Sequence, residues 1–222
     1  MHPTKASGPD GMSAIFFQKY WDVVGNDITY MVLNVLNSDV SIADINQTNI
    51  TLIPKINCPL KMSDFRPISL CNVIYKLVSK VITNRLKNIL PQIISENQSA
   101  FLSERLITDN VLVAYELMHY LEHKKEGKEN FMTIKLDMSY AYDRVEWKFI
   151  EDVMEKMRFH EKWIQLIIKC ITTISYSVII NGVVYGSIFP TRGLRQRDPL
   201  SPYLFLLCAD GFSSLINEAI RN

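Results

Sequence analysis

Apolar residues along the chain recur at two periods, and the switches between them lay out its elements. After the turn signal Gly8-Pro9-Asp10-Gly11, the positions Phe16, Phe17, Tyr20, Trp21 and Val24, then Ile28, Met31, Val32, Val35 and Leu36, keep helical spacing. Gly25 and Asn26 punctuate that helical stretch. A β-rich run from Thr48 to Ile53 closes at Pro54, and Asn57, Pro59, Ser63, Asp64 and Pro67 predict a loop after it. From about Cys71 to Leu90, Val73, Ile74, Leu77, Val78, Val81, Ile82 and Leu86 predict a helix that Pro91 ends. Another helix runs from near Thr108 through Val111, Leu112, Tyr115, Leu117 and Met118 to Leu121, and the polar stretch Glu122 to Asn130 reads as a solvated loop. No repeat or low-complexity segment interrupts the chain, and no linker demands a domain boundary.

Between Phe131 and Met138 the period becomes two. Met132, Ile134, Leu136 and Met138 share one face of the predicted strand, so Asp137 points away from the core. Ser139 is placed to cap a following helix that carries Ala141, Val145, Phe149, Val153 and Met157. A carboxylate at the carboxyl end of a strand, entering a helix, is rigidly supported and open to ligand, which suits Mg²⁺; a plain solvated aspartate has the same pattern. Ser175 to Ile180 and Val183 to Phe189 flank Asn181-Gly182 and predict a hairpin. A loop follows, Arg192-Gly193-Leu194-Arg195-Gln196-Arg197-Asp198, and then an apolar helix from about Pro202 to Ile220, with Asp198 or Ser201 as its cap. Three arginines beside a helix amino terminus make a receptor for a phosphate chain.

Composition narrows the class. With 48% hydrophobic and 21% charged residues over 222 positions, the chain has globular rather than disordered composition. Twenty-four basic minus 23 acidic residues leaves +1, which excludes a uniformly basic nucleic-acid coat. Locally the balance differs: Lys55, Lys61, Arg66, Lys76, Lys80, Arg85 and Lys87 face only Asp64, seven minus one, or +6. Lys76, Lys80 and Lys87 share a helical face. Such a stripe suits a phosphate backbone, and an ordinary solvated face looks the same. The four scattered cysteines, Cys58, Cys71, Cys170 and Cys208, read as reduced thiols rather than a zinc site. His119 and His123 share a helix face but lack a third ligand, and read as surface residues. The longest unbroken apolar stretch, Tyr203 to Ala209, is too short to cross a bilayer, and the amino terminus lacks an apolar signal core, so no membrane span and an intracellular location are expected.

Seven blocks in a fixed order carry a family likeness: Lys5-Ala6-Ser7-Gly8-Pro9-Asp10-Gly11, Asp64-Phe65-Arg66-Pro67-Ile68-Ser69-Leu70, Gln98-Ser99-Ala100-Phe101, Arg105-Leu106-Ile107-Thr108-Asp109-Asn110, Lys135-Leu136-Asp137-Met138-Ser139, Ala141-Tyr142-Asp143-Arg144-Val145 and Gly193-Leu194-Arg195-Gln196. The chain resembles the reverse transcriptase of non-LTR (LINE-like) retrotransposons, of the plant type, over nearly its whole length. The resemblance implies an α+β fold, the fingers and partial palm of a right-hand polymerase, with residues 1–130 mainly fingers and 131–222 the first part of the palm. It implies RNA-templated DNA synthesis on a DNA primer from deoxynucleoside triphosphates, with Mg²⁺ or Mn²⁺.

The resemblance also implies roles. Asp137 corresponds to the first metal-binding carboxylate, with the Met138 carbonyl beside it, and Tyr142 to the aromatic beneath the incoming sugar. Arg105 is similar to the arginine that pairs with the triphosphate, and Gln196 to the residue lining the nucleotide and template pocket. Lys55 and Arg66 are placed for template contact, and Lys76, Lys80 and Lys87 for the nucleic-acid backbone. Three residues depart from the family pattern: Arg197 and Glu104 stand where it has glycine, and Tyr140 where lysine is common. No paired aspartates occur in the 222 residues, whereas phosphoryl transfer of this kind uses two metals held close together. The expectation is a truncated, inactive remnant, marginally folded; a non-catalytic nucleic-acid-binding module and a partial gene model of an active enzyme are the alternatives.

Overall fold

A computed structural model describes residues 1–102, 105–124 and 132–221. In chain order the described elements are α1 (Ala14–Lys19), α2 (Trp21–Asn37), β1 (Gln47–Pro54), β2 (Phe65–Cys71), α3 (Val73–Ile93), α4 (Ile107–His123), α5 (Trp147–Lys156), α6 (Glu161–Thr172), β3 (Ser175–Ile180), β4 (Val183–Ile188) and α7 (Ser201–Arg221). Short 3-10 turns at Met62–Asp64 and Tyr142–Arg144 join them. The architecture is α+β, as expected from sequence.

The strands form one sheet in the order β2-β1-β3-β4. β1 runs antiparallel to β2, from Thr48 opposite Cys71 to Pro54 opposite Phe65, and parallel to β3, from Gln47 opposite Ser175 to Thr51 opposite Ile179. β3 and β4 are the hairpin announced by Asn181-Gly182, where both turn residues have positive φ. The sheet thus draws strands from both sides of residue 130. β2 replaces the loop predicted over Pro67; as an edge strand it tolerates a residue with no N–H to give to a ladder.

Helix α3 is the central element. Tyr75, Val78, Ile82, Leu86 and Leu90 recur at three and four along it and are fully buried, among Leu204, Leu206 and Leu207 of α7, Ile150 and Met154 of α5 and Ile167 of α6. α3 continues through Pro91 to Ile93, two residues past the predicted stop. The first helical run breaks at Tyr20 rather than at Gly25, which stays inside α2 because the Trp21 ring occupies the space a Cβ would need, 2.9 Å away. α6 was not anticipated, although Ile164, Ile167 and Ile171 have the spacing of its buried face. α7 is long and apolar enough to cross a membrane, with mean hydropathy 1.2. Its first half is core, and buried Asp210 accepts the Ser95 N–H at 3.0 Å, whereas its second half, with Phe212, Leu215, Ile216 and Ile220, is exposed.

Two expectations fail after residue 131. Phe131, like Glu104 and residues 125–130, lies outside the described residues, and 132–138 form no regular secondary structure. None of the four strands lies beside them to complete a ladder, so Met132, Ile134, Leu136 and Met138 are each more than half exposed. The helix expected after Ser139 begins only at Trp147. Before it, the chain is diverted against a loop: the N–H groups of Leu194 and Gly193 donate to the carbonyls of Tyr142 and Val145 at 2.9 and 2.7 Å, and Trp147 Nε1 donates to the Gly193 carbonyl at 2.8 Å. Gly193 is required there, with φ +92 and the Asp143 backbone 3.2 Å from an added Cβ.

Arg105 closes the far end of α3. Its guanidinium donates to the carbonyls of Ser95 and Gln98 at 2.6 Å each, Ile94 at 3.3 Å and Pro91 at 3.4 Å, satisfying groups that a helix end leaves open. Arg105→Ala should therefore lower stability by about 1 kcal/mol, read as a fall in Tm of about 2–4 °C by thermal denaturation. An unchanged Tm would show that the four contacts contribute nothing net.

Candidate functional site

One face of the sheet floors a cleft of about 920 Å³. Leu52 of β1 and Phe65, Arg66 and Pro67 of β2 form the floor. Lys55, Met62 and Ser63 of the β1–β2 connection form one wall, and Ser139, Tyr140, Ala141, Tyr142 and Asp143 with Gln196 and Arg197 form the other. Four residues singled out by sequence, Lys55, Arg66, Tyr142 and Gln196, therefore meet in one place. A smaller recess of about 230 Å³ continues past Gln196 along Ile50, Ser69, Tyr176 and Leu194.

Each wall has a local cause. Asp64 accepts the N–H groups of Leu60 and Lys61 at 3.0 and 2.9 Å, and Lys55 Nζ donates to the Ser63 carbonyl at 2.8 Å, so the connection is pinned with Lys55 facing the cleft. Those two N–H groups hold the Asp64 carboxyl below its ordinary value. Tyr142 leans on Phe205, ring centroids 5.1 Å apart, and partial burial raises its hydroxyl pKa. Asp143, the acidic residue of the cleft lining, has its carboxyl raised by desolvation.

The loop carrying Gln196 and Arg197 is anchored from below. Arg195 is 1% exposed; its Nη2 donates to Asn46 Oδ1, and its guanidinium carbon lies 4.4 Å from the centroid of the Tyr75 ring. Asp198, also buried, accepts from Tyr75 Oη at 2.8 Å, from Ser79 Oγ and from the Leu200 N–H at 3.1 Å, which makes it the capping side chain just before α7. Asn46 in turn donates to the Cys170 carbonyl at 2.9 Å and to Thr173 Oγ1 at 2.8 Å. Sequence reasoning gave Arg195 to a phosphate receptor, but the structure spends it on the interior. Arg192 leaves that receptor too, paired on the surface with Glu146 at 3.2 Å. The signal for a buried role was the apolar spacing of α3 itself, which places Tyr75 and Ser79 on the inward stripe.

Other expected residues lie elsewhere. Asp137 and Met138 border an apolar groove of about 470 Å³ between Phe149, Phe205, Cys208 and Phe212, adjoining the cleft through Ser139 and Ala141. Arg105 is engaged at the end of α3 and does not line the cleft. On α3, Lys80 is exposed, Lys76 is half-buried with its pKa lowered by desolvation, and Lys87 sits 5.2 Å over the Tyr203 ring. His119 and His123 stack on α4 at 4.1 Å, and no group of three potential metal-ligating side chains occurs among the described residues. Burial pushes the Cys170 and Cys208 thiols up to about 12, which keeps them protonated.

Arg197 has φ +68, the left-handed region that disfavours a side chain. The sequence expectation that a glycine position is filled here by a long side chain is thus matched by the backbone. Arg197→Gly should raise stability by about 1 kcal/mol or somewhat less, as an increase in the urea midpoint; a lowered midpoint contradicts the strain. Asp64 supplies a pH signature. Because its folded pKa is depressed, its contribution is complete above the ordinary carboxylate value and is lost as pH falls through the lower folded value. The Leu60 and Lys61 amide resonances should shift with a midpoint below that of an unfolded aspartate, and a midpoint at the ordinary value contradicts the clamp.

Comparison with known proteins accords with this arrangement. The profile of the family described as "Reverse transcriptase (RNA-dependent DNA polymerase)" matches residues 53–222. The "Transposon TX1 uncharacterized 149 kDa protein" of Xenopus laevis is 27% identical over 220 residues, 99% of this chain and 17% of that protein. The "Retrovirus-related Pol polyprotein from type-2 retrotransposable element R2DM" of Drosophila melanogaster is 24% identical over 208 residues, 93% of this chain and 19% of its own length. An R2 type-1 polyprotein of Nasonia vitripennis is 24% identical over 200 residues, 90% of this chain and 19% of its length. The chain spans less than a fifth of each of these three relatives. With the profile covering 170 residues, from 53 to 222, the chain belongs to the reverse transcriptase (RNA-dependent DNA polymerase) family.

Proposed function

We propose that these 222 residues form the template- and nucleotide-binding part of an RNA-directed DNA polymerase of a non-LTR retrotransposon, residues 1–130 contributing mainly fingers and 131–222 the first part of the palm. The observation that carries this reading is the cleft. Positions as distant as 55 and 197 bring three aromatic rings, one amide and three cations to a single concave surface. Cations suit a phosphate backbone and aromatic faces suit bases and sugars, a combination that single-stranded templates and nucleotides both use. Tyr142 supplies a bulky wall, Gln196 a donor and acceptor for a base edge, and Lys55 and Arg66 contacts to the RNA template. Lys80, with Lys76 and Lys87 beside it on α3, extends the basic surface.

The divalent metal that the family uses does not fit the residues described. Asp137 is exposed on the irregular segment 132–138, and no cluster of three possible ligands accompanies it among the described residues. One carboxylate does not hold a metal pair. The chain on its own accordingly binds the RNA template and DNA primer and does not extend the primer.

A gel-shift titration of an RNA template annealed to a DNA primer tests this. The complex should form at low salt and weaken steeply as salt rises, and the Lys55→Ala/Arg66→Ala pair should lower the salt slope by about 2. Absence of any shift at low salt overturns the binding reading. Primer extension with Mg²⁺ or Mn²⁺ should give no product, and template-dependent incorporation abolished by Asp137→Ala overturns the inactivity.

A further inference from the structure

We propose that Arg197 makes the cleft a metal-independent receptor for the triphosphate of a nucleoside triphosphate. The inference rests on the reading of the cleft as a nucleotide site and concerns a residue particular to this chain. Three observations support it. Arg197 lines the cleft with Lys55 and Arg66, and among the described residues neither the Arg197 nor the Arg66 side chain makes an ion pair or hydrogen bond, while the Lys55 side chain gives one bond to the Ser63 carbonyl. Asp143 is the one acidic side chain lining the same cleft, and desolvation raises its carboxyl toward the neutral form. The cavity therefore faces its ligand with three positive charges and at most one negative charge.

The second observation is how Arg197 is held. A left-handed φ on a residue with a side chain relaxes unless its neighbours forbid it. Here both flanks are fixed: Arg195 is buried against Asn46 and Tyr75, and Asp198 is bound by Tyr75, Ser79 and the Leu200 N–H. Arg197 cannot withdraw by turning its backbone over. The backbone thus fixes the direction in which its side chain leaves the loop toward the cleft, and the planar guanidinium fork matches two phosphate oxygens.

The third is the match of the remaining lining to a nucleoside. Phe65, Tyr140 and Tyr142 offer ring faces and Gln196 an amide, within a volume of about 920 Å³ that is at the upper end of a small-molecule site. A triphosphate is normally escorted by a divalent cation that neutralises it. In this cleft resident side chains supply that neutralisation, so binding proceeds when divalent ions are removed.

Fluorescence anisotropy with a dye-labelled deoxynucleoside triphosphate, titrated with the 222-residue chain in EDTA, is the test. Saturable binding is expected, displaced by inorganic triphosphate and not by the unphosphorylated nucleoside. Arg197→Gly should weaken it by about tenfold or more, the loss of a charged hydrogen bond to phosphate. Lys162→Ala, at an exposed position of α6 that lines no part of the cleft, should leave it unchanged. Binding that requires Mg²⁺, or that Arg197→Gly leaves at full strength, overturns the proposal. If the chain shifts primer and template in gels but binds no nucleotide in EDTA, the nucleic-acid reading stands and the role of Arg197 falls. If it does neither, both fall.

Discussion

A buried cation organises this fold. Arg195 has almost no exposure, yet it carries a full charge into a largely apolar core, and such a charge is tolerated only when its surroundings compensate it. The compensation comes from Asn46 before β1, the ring of Tyr75 on α3, and the carboxylate of Asp198 three residues on, bridged through the Tyr75 hydroxyl. These groups lie on four separate stretches of chain once the Cys170 carbonyl at the end of α6 is included. Two of the Arg195 nitrogens, Nε and Nη1, are buried without a hydrogen-bond partner, so its few contacts carry the compensation, and they tie together the sheet, α3, α6 and α7. Gln196 and Arg197 are the residues this arrangement leaves pointing outward between two buried anchors.

The same division sets the cleft apart from Asp137. The cleft is built from elements with many neighbours: β1 and β2 in the sheet, the 142–145 turn tied to Gly193 and Leu194, and the anchored loop. Asp137 belongs to a stretch with none of these supports. The apolar side chains around it, Met132, Ile134, Leu136 and Met138, are open to solvent, as are Val111, Leu112, Tyr115, Leu117 and Met118 of α4. Exposed apolar surface on this scale marks an interaction or aggregation site.

The sequence was most legible where a local rule determines the outcome. Asn181-Gly182 specified the hairpin with its ends in place, the spacing of Val78, Ile82 and Leu86 specified α3, and the strand over Thr48 to Ile53 was read from its β-rich run. Reading failed where tertiary context decides. Alternation at 132–138 marks a strand only if a neighbour supplies a ladder, and Pro67 marks a loop only if its strand is not at an edge. The arginines show the limit most plainly: Arg192, Arg195 and Arg197 are five residues apart at most and indistinguishable by type, yet one is paired on the surface, one is interior and one lines the cleft. The resemblance placed Tyr142, Gln196, Arg66 and Lys55 in common company; the engagement of Arg105 by four carbonyls had no signal in its own neighbourhood.

The parallel pairing of β1 with β3 has a consequence for how the chain becomes ordered. Gln47 and Ser175 are adjacent in the sheet but 128 positions apart along the chain, and Asn46 meets Arg195 across 149. Contacts of such long range must pay a large loop-closure entropy before they return any stability, which makes them late events. During synthesis α1 to α3 emerge with their inward faces uncovered, and the cleft comes into existence only after the loop beyond β4 has left the ribosome. Until then the basic residues from Lys55 to Lys87 belong to a chain with no concave surface to direct them.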